Sequence, residues 1–473
     1  MIFSSYMFIF AFLPAVLAGY WLIAKFAGSC YSKAWLVAAS LFFYAQSNIW
    51  FLPVLAGTLV FNYLIVFLLD RAAPRSKSAK ALLAASLLEN LGLLFYFKYF
   101  NFFIENLNRA TGSGFLPMNI ILPLGISFYT FLIIGYVVDI FKGASKRSSL
   151  LDYSVFVTFF PHLIVGPVSK HDGFAPQLRS PAFGKPVGTN IARGILLFSV
   201  GCAKKILIAD PLIAHAQSFY DVMGAGNFFE SWGAVVAYTF AFYFDFSGYC
   251  DMASGLGWFF NIKLPANFNS PYKACDFADY WRRWNMTVSR FFNEHIFKNI
   301  FHFGDKFRKL LFAVMATFLV SGIWHGAGWT FIFWGLANGA LVCAANAITV
   351  KRWKIPKSLG WLFTFLFVLL TRVLFDSHSM SQALGVYKGM ADISLAFSDA
   401  GAFFRQGVSY IRSNFSVFSL IVAGAAICFF APNTGQISEN FKLKWYYAAC
   451  SGALLTISLF FMGNVSKFLY FQF

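Results

Sequence analysis

Residues 310–349 read LLFAVMATFLVSGIWHGAGWTFIFWGLANGALVCAANAIT, forty residues without an Asp, Glu, Lys or Arg. A membrane-crossing helix needs roughly 20 mostly apolar residues. The stretch is therefore long enough to cross twice, and it predicts helical spans over 310–324 and 328–349. The joint between them, SGIWHGAG (321–328), carries a single His among three glycines, Gly322, Gly326 and Gly328. Small residues let helices approach closely and let a substrate reach a side chain.

The same signature recurs outward in both directions. Candidate spans lie at 2–24, 35–52, 53–70, 81–100, 118–141, 190–209, 230–260, 359–375, 415–432 and 444–463. Allowing for Pro and Gly breaks, about 11 true spans are expected, with re-entrant or half-membrane helices besides. The segment YSVFVTFFPHLIVGPV (153–168) holds two Pro and a Gly and reads as re-entrant. No segment alternates with the period of a strand, and no internal repeat is evident. The fold class is therefore all-α, a polytopic membrane protein forming one domain over residues 1–473. The amino terminus lacks a basic n-region, and its apolar run is too long for a signal peptide, so it reads as a first span that stays.

Composition agrees. Of the 473 residues, 59% are apolar, only 12% are charged, and 63 are Phe. The net charge of +18 sits in short connections, where cytoplasmic loops collect Lys and Arg, so a nucleic-acid partner is excluded. The basic connections 71–80 and 142–148 place the amino terminus outside. The seven Cys are dispersed without a CxxC pair, which supplies neither a disulfide framework nor a zinc site. His162, His171 and Asp172 lack a further ligand at helical spacing, so no metal is expected.

Four features carry possible chemistry. An ionisable group inside a span is costly and is by default functional, which singles out His325 as a general base near neutral pH. Asp245 and Asp251 lie in the apolar run YTFAFYFDFSGYCDMASGLG (238–257) and read as structural carboxylates that need partners. Pro123 and Gly125 break the start of another span, and Asp139 sits near its end. The segment 271–309 interleaves Trp281, Trp284, Phe291 and Phe292 with Arg282, Arg283 and six further basic residues. That pattern is an interfacial amphipathic helix at the cytoplasmic face, in contact with membrane lipid. The two Trp and two Arg are candidates for holding an anionic donor.

Seven stretches together resemble the membrane-bound O-acyltransferases, specifically the bacterial alginate O-acetyltransferase branch. They are LPLGISFYTF (122–131), FPHLIVGPV (160–168), YFDFSGYCDMASGLG (243–257), PANFNSPY (265–272), FADYWRRW (277–284), SGIWHGAG (321–328) and FLYFQF (468–473). They follow the family's order and cover most of the chain. The resemblance implies a ring of tilted helices around a thin catalytic centre. It implies acetyl-CoA or another acyl thioester as cytoplasmic substrate, with no bound cofactor. It further implies O-acetylation of an extracytoplasmic polysaccharide or peptidoglycan, a bacterial inner-membrane location and an extracytoplasmic esterase-like acetyltransferase as partner.

Within it His325 matches the family's base. Asn285 stands where the branch usually has a second His, and a carboxamide can only orient or hydrogen-bond. Leu132 and His162 stand where the branch usually has Gln. Tyr470, in the FLYFQF motif, matches the position at which a terminal Tyr is proposed to carry the acyl group in the related teichoic acid D-alanylation system. The alternative is an aromatic interface anchor. A different class of reading, a proton-coupled transporter or flippase using Asp139, Asp245, Asp251 and His325, would more readily show two related halves with paired broken helices.

Overall fold

The computed structural model describes residues 1–221, 226–464 and 468–469; Tyr470 and the rest of the motif after Leu469 lie outside them. Among the described residues every regular element is helical. The protein is an all-α polytopic membrane protein. Among the described residues six helices are long and apolar enough to cross a membrane: Met7–Phe26, Ile49–Arg71, Lys77–Thr111, Phe307–His325, Trp329–Val350 and Lys357–Asp376. A seventh arises if the pair Ala400–Ser413 and Phe415–Phe430, bent by 84°, counts as one span. Several other expected spans are cut short. Ser29–Ala45 and Ile126–Lys142 have 17 residues each, at the short end of the crossing range.

The chain divides into two compact units. The first comprises Met1–Gly201, Tyr249–Ala266 and Phe441–Met462. Its core is aromatic: Phe3 packs on Phe8, Phe43 and Tyr249 at ring separations of 5.0, 5.6 and 4.8 Å. Helices Leu52–Arg71 and Lys77–Leu94 are tied by Asn62, which donates to Glu89 at 2.9 Å and accepts from Ser86 and Asn90 at 2.6 and 3.0 Å. The span expected from 118 begins only at Ile126. The cause is local: Pro123 precedes Gly125, whose φ of +75° is left-handed, and a Cβ there would lie 2.8 Å from Ile164 Cα. Only Gly fits that approach. The segment read as re-entrant is two short helices, Leu150–Thr158 and Phe160–Leu163, broken at Phe159. Asp152 at its start is salt-bridged to Lys33 at 2.7 Å.

The second unit comprises Cys202–Gly248, Asn267–Asn440 and Gly463–Phe473. Its hairpin of Phe307–His325 and Trp329–Val350 matches the two predicted spans within three residues at each end. The two helices close on glycines. A Cβ on Gly322 would lie 2.5 Å from Phe331 O and 3.1 Å from Gly335 Cα. Substituting either glycine would force the backbones apart.

The basic segment differs from the single amphipathic helix its pattern predicts. It forms Phe277–Arg283, capped by the Asp276 carboxylate accepting from Asp279 N, and then Met286–Phe292. Between them Trp284 is extended and Asn285 is left-handed, at φ 41° and ψ 52°. The break has a non-local cause. Met286 N donates to Asn267 O at 2.9 Å, and Asn269 N donates to Arg283 O at 3.0 Å. These two backbone bonds exchange helix pairing for pairing with residues 267–269. Asn is among the few residues that tolerate the left-handed conformation this requires.

Candidate active site

His325 is the last residue of its helix, and Gly326 after it is extended at φ −164°. The imidazole is 6% exposed and is held among aromatic rings: Trp324 at 4.7 Å, Trp334 at 4.9 Å and Phe375 at 5.2 Å. The Trp334 and Phe375 rings meet it nearly edge-on, at 82° and 74°, so they fix the plane in which a ring nitrogen is presented.

Two cavities meet at this side chain. The outer one, of about 300 Å³, is lined by His325, Asn285, Trp281, Arg282, Phe318 and Ser321 among others. Its volume falls at the lower end of small-molecule sites. The inner one, of about 30 Å³, is lined by His325, Trp281, Trp334, Asn338, Phe375 and Arg372, with further aromatic walls. Only His325 and Trp281 face both. The imidazole therefore borders both a space of small-molecule size and one with room for about a single water.

The outer cavity carries polar atoms that the protein leaves open. Asn285 is 3% exposed, and its Oδ1 is buried without a hydrogen-bond partner among the described residues, as is Trp281 Nε1. Such atoms cost about 1–3 kcal/mol each when left unpaired, so a ligand that pairs with them binds favourably. The left-handed turn at Asn285 brings its side chain to the same cavity as His325, forty residues on. One acceptor, one indole donor and one imidazole thus line a single apolar-walled space. That set can bind a polar reactant, take a proton from a hydroxyl and orient the group it attacks.

The remaining predicted residues divide. Arg282 lines the outer cavity and is 67% exposed, with its guanidinium 3.6 Å from Asp279 and 4.0 Å from Asp276. Arg283 turns instead to Asp279, at 2.8 Å, and toward Asn269 O. Trp284 is buried among Phe242, Phe268 and Tyr280 at 5.0–5.9 Å and lines the inner cavity rather than the outer one. Asp245 is 2% exposed and paired with Lys205 at 2.7 Å. Asp251 is half-buried in the first unit. His162 pairs with Phe156 O at 2.9 Å and His171 with Ser148 Oγ at 3.1 Å. No cluster of three metal-ligating side chains occurs among the described residues.

The structure adds residues that the sequence did not single out. Arg372 forks onto Asp376, with Nε–Oδ2 at 2.8 Å and Nη2–Oδ1 at 2.6 Å, and lies 3.5 Å over the Phe242 ring. The pair holds one hydrogen bond, from Nε, with the second approach a close ion contact, and Arg372 forms part of the inner cavity's wall. The available signal was TRVLFD (371–376), an Arg and an Asp four residues apart at the end of an apolar run.

The sequence matches the MBOAT, membrane-bound O-acyltransferase family, over residues 22–369. The chain belongs to that family. It is 36% identical, over 100% of its length and 98% of the relative's, to a peptidoglycan O-acetyltransferase of Helicobacter pylori. It is 35% identical to a probable alginate O-acetylase, AlgI, of Pseudomonas aeruginosa, over 82% of this chain and 75% of that one. It is 25% identical to a teichoic acid D-alanyltransferase of Bacillus subtilis, over 58% of this chain and 70% of that one. This acyltransferase is thus a membrane enzyme of the kind that modifies extracytoplasmic polymers. In it the His325 hairpin and the Asn285 break come together on one cavity.

Proposed function

We propose that this acyltransferase moves an acetyl group from a cytoplasmic thioester, acetyl-CoA or an equivalent donor, across the bacterial inner membrane for O-acetylation of peptidoglycan. The observation that carries the reading is the position of His325, which lines one cavity together with Asn285, whose carboxamide oxygen has no hydrogen-bond partner among the described residues. A hydroxyl attacks the thioester carbonyl, His325 takes its proton, the new C–O bond forms, and the C–S bond breaks. The proton then passes to the departing thiolate. Donors already placed in a dry site stabilise the charge that develops on such a path. Arg282 at the outer cavity's edge is suited to a phosphate-bearing donor.

Peptidoglycan is favoured over alginate because the match to the peptidoglycan O-acetyltransferase runs the full length of both chains, whereas the alginate relatives match over less. An extracytoplasmic acetyltransferase completes the transfer outside. The test is the O-acetyl content of purified muropeptides, and separately of exopolysaccharide, from cells with and without this protein. Muropeptide O-acetyl groups that disappear without it support the reading. Loss confined to exopolysaccharide assigns the other polymer, and no change in either removes the proposal.

A further inference from the structure

The second unit contains a buried group of charges that the acyl-transfer step does not use. Lys205 is 0% exposed, and its ammonium lies 2.7 Å from Asp245 and 2.8 Å from Asp210. Two carboxylates and one ammonium thus meet in a place where unpaired charge is expensive. Relief comes from far along the chain. The backbone N–H of Leu469 donates to Asp245 Oδ2 at 2.8 Å. The Phe468 ring also lies 4.6 Å from the Lys205 ammonium, within cation–π range. Phe468 is 1% exposed and Leu469 0%. Two independent contacts therefore seat two consecutive buried residues on one ion group.

Asp245 also sits one turn beyond Phe242 on helix Phe228–Phe259, and residues three apart are neighbours on a helix surface. Phe242 lines the inner cavity beside His325 and carries Arg372 on its ring face. The seat for Phe468–Leu469 and the wall of the inner cavity beside His325 are thus one turn apart on one helix.

We infer that Asp245, supported by Lys205, is a positioning residue that docks the Phe468–Leu469 segment, and that acyl transfer requires the docked segment. Asp210 holds the same ammonium at 2.8 Å. This inference rests on the acyltransferase reading for its activity arm only; docking is read independently.

The test uses the full chain in membranes with Leu469→Cys as reporter, which keeps the backbone N–H, and with exposed Cys30, Cys275 and Cys450 replaced by Ser. Maleimide labelling reports whether the segment is seated. Asp245→Leu removes the acceptor and should speed labelling at least tenfold while polymer acetylation falls to background. Asp210→Asn weakens the ion group while leaving the acceptor of Leu469 N in place, and should raise labelling and lower acetylation by less than either Asp245 variant. Asp245→Asn keeps an oxygen acceptor and leaves Lys205 paired with Asp210. It covers the case in which the Leu variant fails to fold, with a labelling rise of about threefold expected because neutral acceptors are about half as strong. Equal release in Asp210→Asn and the Asp245 variants would reduce the group to general packing and overturn the inference. So would unchanged labelling in the Asp245 variants, or release with normal acetylation. A protein that labels as expected but never acetylates a polymer would sink the acyltransferase reading instead.

Discussion

Two buried asparagines show how this chain separates scaffold from site. Asn62 in the first unit is 0% exposed and uses its whole carboxamide. It donates to Thr58 O and Glu89, and accepts from Ser86 and Asn90, all at 2.6–3.0 Å. Asn285 in the second unit is nearly as buried, yet its oxygen has no partner among the described residues and lines a cavity of about 300 Å³. The backbone differs likewise: Asn62 is mid-helix, Asn285 left-handed at a break. A satisfied carboxamide fixes helices to each other. An unsatisfied one, held by a strained turn against a cavity, is arranged for something that arrives later.

The comparison breaks first at His325, which gives the largest expected effect. His325→Ala should lower acetylation by ~10²–10⁴-fold, the contribution of a positioned base, with normal amounts of protein in the membrane. Normal acetylation in that variant would mean the cavity beside Asn285 is not where the chemistry occurs.

Next come the two asparagines themselves. Asn62→Leu should cost about 2 kcal/mol of thermal stability in detergent, as interhelical hydrogen bonds are lost and their partners stranded. Activity per folded molecule should be unchanged. Asn285→Leu should do the reverse, with stability kept and turnover lower by about tenfold, the loss of one hydrogen bond to a reactant. Asn285→His should retain part of the turnover. If Asn285→Leu unfolds the protein and leaves turnover intact, the two asparagines do the same job and the contrast is lost.

Much of this was legible in the sequence, for identifiable reasons. The hairpin around His325 follows from hydropathy alone, since a charge-free run of that length has few alternatives to crossing a membrane. His325 stands out because it is ionisable there. The break at Asn285 was not legible as geometry, because it is created by backbone bonds to residues 267 and 269, and pattern-reading within 271–309 sees only an amphipathic helix. Arg372–Asp376 and Lys205–Asp245 were missed as pairs for a related reason. A charge near the end of an apolar run can snorkel to the interface or turn inward to a partner, and sequence spacing is the same in both cases.

Arg282 and Arg283 give the smallest effect and the finest division, because adjacent residues of one type should behave differently. Both follow Asp279 in the same short helix and the Asp276 that caps it, and a pattern-based reading assigns both to donor binding. In the structure Arg283 is committed, with Nε 2.8 Å from Asp279 and Nη1 toward Asn269 O. Arg282 is more exposed, keeps looser contacts of 3.6 and 4.0 Å, and alone of the two borders the outer cavity. An exposed charge acting on an anion is worth up to about 1 kcal/mol, which is roughly a two- to fivefold effect on binding. Arg282→Gln should therefore raise the apparent KM for the thioester donor two- to fivefold with kcat unchanged. The increase should shrink as salt is added, since exposed charges are screened. Arg283→Gln should leave KM unaltered at every salt concentration and cost at most about 0.5 kcal/mol of stability, the worth of one helical ion pair. The measurement is donor KM at low and high ionic strength for both variants. Equal shifts would show that the donor reaches Arg283 as well, and that the cavity's edge extends past Arg282.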